Sequence, residues 1–235
     1  KKKVDLWVGL PVSDFFKGVD KNIELIERKK KNLEEKVRNA VPDGDPVADL
    51  VSINVGCQAV SAFVDYLIDD AGEERDVPIE RIAVVDIGGR TTDIAMIING
   101  STFVPEKSGT ENIGVLDVMN ELQALIHKEF NVNDALSSSV LDKALRTGKI
   151  KLWGKEKDIS ALVELASSGP VHKLERMIVQ KLGKGSDLDA ILFVGGGASC
   201  FASIKSIFPH NGVLMDNAEF SNARGLYKYA KDKQG

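Results

Sequence analysis

The chain has 235 residues, of which 43% are hydrophobic and 28% charged, as in a soluble globular protein with one or two cores. Its 31 basic and 35 acidic residues are spread along the sequence and give a net charge of −4, which argues against direct nucleic-acid or membrane binding. No apolar run approaches the roughly 20 residues of a membrane helix, and Lys1–Lys3 is not followed by the apolar stretch that is typical of a signal peptide. We therefore expect a cytoplasmic protein in which Cys57 and Cys200 are reduced.

The first part of the chain alternates strand and helix patterns. Apolar residues at every second position indicate strands, and apolar residues three or four apart indicate amphipathic helices. The predicted elements are a strand at 4–10, a helix at about 20–39, a turn cluster at 42–46, a strand at 50–55 and a helix at 59–68. Because the strand pattern starts almost at once, we expect the sequence to be truncated at its N-terminus.

The middle of the chain predicts an antiparallel sheet after a polar linker at residues 69–80. Two turn signals separate three strand-like runs, and the second, Asn99-Gly100, is typical of a type I′ hairpin. The predicted strands cover residues 81–86, 93–99 and 101–105.

The last part predicts helices around one apolar strand. Pro170 is expected to start a helix that Gly183 ends, because proline favours the first helical turn and glycine favours the position after the last. The predicted elements are helices at 113–129, 138–147 and 170–182, an excursion at 148–158, a strand at 190–194, and helices at 198–207 and 219–231.

The turn between the first two sheet strands carries the first chemical signal. Asp86 ends an apolar strand, Gly88 and Gly89 let backbone N–H groups approach a ligand, and the hydroxyl groups of Thr91 and Thr92 follow. This pattern suits a metal-bound phosphate, with the carboxylate holding Mg²⁺ or its water shell. A hairpin with a purely structural role is the alternative that these residues leave open.

The second signal is the turn Gly195-Gly196-Gly197, which leads from the apolar strand into Ala198 and a predicted helix. A nucleobase or phosphate can pack directly against such a backbone, and a helix N-terminus favours negative charge. A turn that serves packing alone is the alternative.

In this order the two signals resemble the phosphate and adenosine motifs of the actin, heat-shock chaperone and sugar kinase superfamily. Val8-Gly9-Leu10-Pro11 and Phe220–Leu226 are similar to segments of the ParM/StbA plasmid-segregation family. The resemblance implies an α/β, ribonuclease-H-like actin fold with mixed five-stranded-type sheets flanked by helices. Members also begin with another phosphate loop, which does not precede Lys1, so the first domain is expected to be incomplete and this fragment weak or inactive.

The resemblance also implies a division into domains. Residues 1–72 would be the remainder of the first domain, and residues 73–218 would be the second domain, with both nucleotide motifs. Residues 219–235 would form a C-terminal helix that packs back toward the first domain.

Site roles follow from the same resemblance. Asp86 would organise Mg²⁺ and water, and Gln58 would orient the water that attacks the γ-phosphate. The phosphate hairpin would be Gly88, Gly89, Arg90, Thr91 and Thr92, the adenosine turn Gly195, Gly196, Gly197 and Ala198, and the ribose or adenine contacts Arg146 and Lys149. The residues alone leave other roles open: helix capping for Gln58, favourable interaction with a helix dipole for Arg146 and Lys149, and pairing with a carboxylate such as Asp93 for Arg90.

The implied function is that of an ATP hydrolase (ATPase) that binds ATP (or GTP) with Mg²⁺ and polymerises into filaments for plasmid DNA segregation. The implied partners are further copies of the chain and a DNA-binding adaptor protein of the plasmid partition system, so that contact with DNA is indirect. A small-metabolite kinase or polyphosphate phosphatase of the same superfamily and a non-hydrolysing actin-like scaffold are the alternatives.

Overall fold

The structure, a computed structural model, describes residues 2–34 and 47–233. The first part contains β1 (Lys3–Leu10), α1 (Val12–Phe15), β2 (Phe16–Lys17), β3 (Asp20–Lys21), α2 (Ile23–Leu33), β4 (Asp49–Cys57) and α3 (Gln58–Leu67). The second part contains β5 (Arg81–Ile87), β6 (Thr92–Ile98), β7 (Thr102–Phe103), β8 (Gly109–Glu111), α4 (Val115–Phe130), α5 (Ser138–Thr147), β9 (Lys149–Leu152), β10 (Lys155–Asp158), α6 (Ser160–Leu182), β11 (Ala190–Val194), β12 (Gly212–Leu214) and α7 (Ser221–Asp232). Short 3-10 helices lie at Pro105–Lys107, Ala202–Ile207 and Ala218–Phe220.

A mixed six-stranded sheet lies at the centre, in the order β12–β11–β5–β6–β7, with β8 also paired to β6. The strands β12, β11 and β5 are parallel neighbours, whereas β5, β6 and β7 form the antiparallel meander that the sequence predicts. The expected α/β class, with a mixed sheet flanked by helices, is confirmed, although this sheet has six strands instead of the expected five because the short strand β8 also pairs with β6.

Both faces of this sheet are covered, which explains why its central strands are apolar over most of their length. In β5, Ala83, Val85 and Ile87 join a core with α4, α5 and α6, whereas Ile82 and Val84 join a second core with α3. Successive side chains of a strand point to opposite faces. A strand buried on both sides therefore needs an apolar residue at nearly every position.

The strands β1 and β4 form a separate two-stranded parallel sheet, with Gly9 opposite Gly56. Each strand leads directly toward a helix, because α1 begins at Val12 and α3 begins at Gln58. The ends of these two strands therefore bring the beginnings of α1 and α3 close together.

The helices α3 and α7 pack against each other unusually closely. Gly225 permits this approach, because a β-carbon at that position would lie 1.7 Å from the carbonyl oxygen of Ser61. Nearby, the buried carboxylate of Asp65 accepts hydrogen bonds from Arg224 Nη2 at 2.6 Å and Lys228 Nζ at 2.7 Å. Burial alone would raise the pKa of Asp65, but these two cations outweigh it and hold the pKa below its ordinary value.

The helix predicted to begin at Pro170 begins ten residues earlier, at Ser160, and Pro170 lies inside α6. The prediction of its start is therefore wrong, whereas its end before Gly183 is confirmed. Tertiary packing explains the difference, because Leu162, Val163 and Ala166 contact the core on the α4 side of the sheet. That burial offsets the backbone hydrogen bond that the proline cannot donate.

Other local predictions also need correction. The predicted helix at 198–207 is a series of turns followed by a 3-10 helix at Ala202–Ile207. The predicted helix start near Asp20 is wrong, because Asp20 pairs in β3 and Asn22 caps α2 by accepting a hydrogen bond from the Leu25 N–H. The predicted end of that helix at 39 and the turn cluster at 42–46 lie outside the described residues.

Two findings bear on the expectations for compartment and thiols. Among the described residues, no helix has the length and apolar character needed to span a membrane. Both cysteines are free thiols. Burial raises the pKa of the Cys57 thiol to about 12, whereas Cys200 is half-buried and does not belong fully to the core.

Candidate functional site

The candidate site lies where β5 and β11 end. These strands are parallel neighbours, and Asp86 near the end of β5 is in register with Val194 at the end of β11. The carboxyl ends of adjacent parallel strands share one edge of a sheet, where α/β proteins commonly bind ligands. The two glycine-containing segments of the sequence therefore meet at this edge.

Asp86 is the buried acid at the centre of the edge. Its side chain is 6% exposed and accepts a hydrogen bond at 2.7 Å from Nδ2 of Asn222, which belongs to α7. Burial raises the pKa of Asp86, and the bond from Asn222 opposes this rise only in part. A cation beside Asp86 would therefore stabilise its charged form.

Asp93 lies directly opposite Asp86, on β6. Its carboxylate accepts hydrogen bonds from the Thr110 hydroxyl and, at 3.1 Å, from the Val12 N–H at the start of α1. Burial raises the pKa of Asp93 to about 6, the two hydrogen bonds oppose the rise, and the charge of Asp86 adds to it. In the described structure the partners of Asp93 are thus Thr110 and Val12, and Arg90 is exposed instead of paired with it.

The hairpin from Gly88 to Thr92 is joined firmly to the start of α4. The carbonyl oxygens of Gly88 and Gly89 accept hydrogen bonds from the N–H groups of Val115 at 3.2 Å and Leu116 at 2.9 Å. The first N–H groups of α4, which no helical carbonyl can satisfy, thereby find acceptors in the hairpin. The positive end of this helix is therefore engaged by the protein itself.

Within the hairpin the predicted site residues have different surroundings. Thr92 is fully buried and donates its hydroxyl hydrogen to the carbonyl oxygen of Ile113 at 2.9 Å. Thr91 is half-buried, and its carbonyl oxygen accepts the Gly88 N–H at 2.9 Å. Gly89 and Arg90 are exposed at the tip, so they are the hairpin residues most accessible to a ligand.

The glycine turn packs directly on the acid. Gly195 has a φ of 88°, and a β-carbon there would lie 2.4 Å from both Asp86 Oδ1 and the carbonyl oxygen of Ile87. Gly197 donates its N–H to the same carbonyl oxygen at 2.8 Å. A β-carbon at Gly197 would also lie 2.7 Å from Ile87 Cγ2, so close packing requires glycine at both positions. Gly196 is exposed, with its nearest potential contact at Glu219, and Ala198 is buried.

Gln58 reaches the same region from the other side. It is the first residue of α3, which has no side-chain cap, so the structure does not support a capping role for it. Its side chain lies over Gly9 of β1, where a β-carbon would be 2.5 Å from Gln58 Cγ. Gln58 and Asn222 line one groove of about 620 Å³ between β1 and α7.

The two predicted basic residues lie in different surroundings. Arg146 forms an exposed ion pair with Asp142 at 3.0 Å, which raises the pKa of Arg146, and the charges of Cys200 and Glu219 raise it further. Arg146 therefore lies within electrostatic range of Glu219, which is also the nearest potential contact of Gly196. Lys149 pairs with Glu156 at 3.0 Å and lines a separate groove between α5 and the β9–β10 hairpin.

The donor set fits Mg²⁺ bound through one carboxylate, with water and phosphate oxygens completing its shell. Asp86 supplies the carboxylate, and Asn222 Oδ1 beside it is a buried acceptor that lacks a hydrogen-bond partner among the described residues. A metal-bound water is a suitable donor to such an oxygen. The described residues hold no cluster of three or more His, Cys, Asp or Glu side chains that could bind a metal alone.

Asn222 is the site residue that sequence reasoning missed. It belongs to the Phe220–Leu226 segment, whose resemblance to the ParM/StbA family does not single out any one residue. Asn222 and its partner Asp86 are also 136 positions apart in the sequence. An asparagine on the second position of an amphipathic helix, followed by an exposed alanine, is the signal that was present. Its partner could not be read from spacing.

Solved structures of actin-class proteins share this α/β fold. The solved pCBH ParM, a non-polymerisable quadruple mutant, has a TM-score of 0.76 and 21% identity over 97% of this chain and 68% of its own. Ta0583, an archaeal actin homolog solved in complex with ADP, has a TM-score of 0.76 and 23% sequence identity, and the match covers 97% of this chain and 72% of that protein. ParM in a 15-stranded filament from Clostridium botulinum has a TM-score of 0.76 and 21% sequence identity, and the match covers 96% of this chain and 66% of that protein.

These similarities confirm the expected actin-like, ParM-type fold, and the chain spans roughly two thirds of the length of those proteins. The family model described as archaeal actin homologue MreB-like, C-terminal, matches residues 84–205, just over half of the chain. The chain belongs to this family of actin homologues.

Proposed function

We propose that this protein is a nucleotide-dependent, filament-forming ATPase of the actin type that serves plasmid DNA segregation in the cytoplasm. The observation that carries the proposal is the meeting of Asp86, the Gly88–Thr92 hairpin and the Gly195–Ala198 turn at one edge of the sheet. The ADP complex of Ta0583 and the ParM filament from Clostridium botulinum support nucleotide binding and self-assembly for this fold.

In this proposal the phosphates of ATP or GTP lie against the exposed tip of the hairpin. The N–H groups of Gly89 and Arg90 and the Thr91 hydroxyl donate to phosphate oxygens, and Arg90 adds a positive charge. Thr92 has a supporting role, because its hydroxyl holds the hairpin to Ile113. Bound Mg²⁺ neutralises negative charge on the phosphates.

Asp86 holds the ion or its water shell, and Asn222 fixes the orientation of this carboxylate through the 2.7 Å hydrogen bond. Gln58, across the groove, orients the attacking water through its amide group. The base and ribose lie over Gly196, between Glu219 and Arg146, where the backbone has no side chain. Lys149 belongs to the same proposal with less support, because its ammonium group is paired with Glu156.

We also propose the division into residues 1–72, 73–218 and 219–235 as two domains and a returning helix. The close packing of α7 on α3 supports the last assignment. In this arrangement the nucleotide lies between the domains, so its binding can change their relative position. A change of that kind would link nucleotide state to polymer stability, and a DNA-binding adaptor would attach the acidic filament to the plasmid.

The experiment compares the full-length protein with Asp86→Ala and with Glu121→Ala, a control at an exposed position of α4. Calorimetric titration with Mg·ATP, phosphate release and light scattering with pelleting are measured in parallel. We expect wild type and control to bind ATP, polymerise and then disassemble as phosphate appears. Asp86→Ala should lose at least about tenfold in Mg·ATP affinity, which corresponds to about 1.4 kcal/mol.

Unchanged Mg·ATP binding by Asp86→Ala would refute the site. ATP binding without polymer or turnover in the wild type would favour a non-hydrolysing scaffold. Phosphoryl transfer to an added sugar or another metabolite would favour the kinase alternative.

A further inference from the structure

One surface of the molecule is strongly basic. Residues 143–157, which comprise the end of α5 and most of the β9–β10 hairpin, are here called the basic hairpin and contain six basic residues and one acidic residue, Glu156. Asp142 and Asp158 flank the segment, Arg146 pairs with Asp142 and Lys149 pairs with Glu156, so the surface keeps an excess of three positive charges over these three acids. The basic residues are Lys143, Arg146, Lys149, Lys151, Lys155 and Lys157, and all except the half-buried Lys157 are exposed. At the hairpin tip, Trp153 is 71% exposed.

A second surface is strongly acidic. Residues 69–76, here called the acidic loop, contain five acidic residues and one arginine. Glu73, Glu74 and Asp76 are exposed. Asp69 folds the loop by accepting the N–H groups of Ala71 at 2.8 Å and Glu73 at 2.9 Å. The loop thus has a defined shape and presents a local excess of negative charge.

The two surfaces lie at opposite ends of the second part of the chain. The basic hairpin ends immediately before Ser160, where α6 begins. The turn that follows the other end of α6 contains Asp187, which pairs at 2.7 Å with Arg81, close after the acidic loop. Because α6 has 23 residues, its two ends are roughly 34 Å apart.

We propose that the basic hairpin of one copy docks on the acidic loop of the next copy of this chain. A contact between two different surfaces of identical molecules repeats head to tail and generates an open polymer. This inference rests on the proposed filament function and names the contact that builds the filament. A second copy is the favoured partner because each molecule carries the complementary surface and the whole chain has a net charge of −4.

Trp153 provides an apolar anchor for this contact. An exposed tryptophan flanked by cations is typical of a residue that contributes strongly to a protein interface. Beside the acidic loop, a groove of about 640 Å³ contains the aromatic ring of Tyr227. Its charged lining residues balance one another: Asp69, Asp70 and Asp232 against Arg224, Lys228 and Lys231. The groove offers the tryptophan ring the aromatic surface of Tyr227. Because Asp70 contacts Lys228 and Asp69 accepts backbone N–H groups, the incoming lysines would pair with the exposed Glu73, Glu74 and Asp76 of the loop.

The test uses charge reversal at both surfaces of the full-length protein. One variant carries Lys143→Glu and Lys155→Glu, and the other carries Glu73→Lys and Glu74→Lys. A matched control carries Lys173→Glu and Arg176→Glu, two exposed positions in the middle of α6. Mg·ATP binding and the circular dichroism spectrum are recorded for each protein, and assembly is followed by pelleting and light scattering.

We expect each surface variant alone to need at least about tenfold more protein to assemble, with nucleotide binding unchanged. An equal mixture of the two should assemble again, because every contact in the alternating polymer then joins opposite charges. Trp153→Ala should weaken assembly in the same way. Assembly of the wild type should also weaken as salt increases, since the contacts are exposed.

The outcomes separate the two proposals. Assembly of the wild type with no effect of either surface variant, or with an equal loss in the control, overturns the docking contact and leaves the filament function standing. A mixture that does not assemble although each variant folds and binds Mg·ATP also overturns it. Normal assembly by the hairpin variant together with loss of DNA binding in a mobility-shift assay overturns the docking contact and assigns that surface to nucleic acid. Absence of assembly by the wild type overturns both proposals.

Discussion

Replacement of Asp65 by asparagine is expected to destabilise the folded protein by about 3 kcal/mol. Asp65 is 2% exposed and is the shared anion for Arg224 and Lys228, which belong to the adjacent helix α7. The variant leaves the Lys228 ammonium, 8% exposed, beside a neutral amide. The loss should lie at the lower end of the range for broken buried ion pairs, because Arg224 also donates to the carbonyl oxygens of Asp216 and Asn217.

Urea unfolding followed by circular dichroism gives the free energy at pH 7, and a thermal melt should show a fall in Tm of roughly 6–12 °C for a chain of this size. Asp70→Asn is the control, because Asp70 contacts the same lysine at 3.3 Å but is 90% exposed, and it should cost less than about 1 kcal/mol. Folding lowers the pKa of Asp65 from its ordinary 3.8, so the stabilisation is complete above pH 3.8 and is lost as the pH falls below it. Equal losses in the two variants at pH 7 would refute the reasoning.

Three further predictions concern packing and charge in the second part of the chain. Gly195→Ala should lower the free energy of unfolding in urea by at least about 2 kcal/mol, because φ is 88° and the new carbon would lie 2.4 Å from an oxygen. The control Gly196→Ala, whose new carbon would lie 3.9 Å from its nearest atom, should cost less than about 0.5 kcal/mol. Equal costs would contradict this prediction. Folding raises the pKa of Asp93 from 3.8 to about 6, so the stabilisation from its protonated form is present below pH 3.8 and is lost as the pH rises through 6. In metal-free buffer, Asp93→Asn should remove about 3 kcal/mol from the pH dependence of the free energy of unfolding. An unchanged pH profile would count against this prediction. Leu174 is fully buried in α6, and Leu174→Ala should lower the free energy of unfolding by about 2–5 kcal/mol. Leu165 on the same helix is 58% exposed, and Leu165→Ala should cost less than about 1 kcal/mol. Thermal melts with similar Tm for the two variants would argue against this core.

Much of the fold could be predicted from local pattern. The continuous apolar runs of β5 and β11 and the amphipathic pattern of α3 each result from burial that repeats along a single element. Elements held by distant contacts were missed or misplaced. The short strands β8 and β12 have too few residues for a periodic signal, and they exist because β6 and β11 offer free edges beside them. The first half of α6 was missed because a proline suggested a local start.

The candidate site could be predicted only in part for the same reason. Asp86 and the glycine turns are visible because each lies at the end of an apolar strand, and adjacent parallel strands meet at one edge. The hydroxyl of Thr92 and the amide of Asn222 have partners that pattern does not reveal, since tertiary folding decides which polar groups remain free for a ligand. The roles of Gln58 and Arg146 stay predictions.

The two hydrogen bonds between the hairpin and α4 have a mechanical consequence. Val115 and Leu116 are the first two residues of a 16-residue helix, roughly 24 Å long, whose buried face reaches into the core. Any displacement of the hairpin must either break these bonds or pull the helix with it. A movement of the hairpin that preserves these bonds would therefore also move α4 and the core side chains that the helix carries.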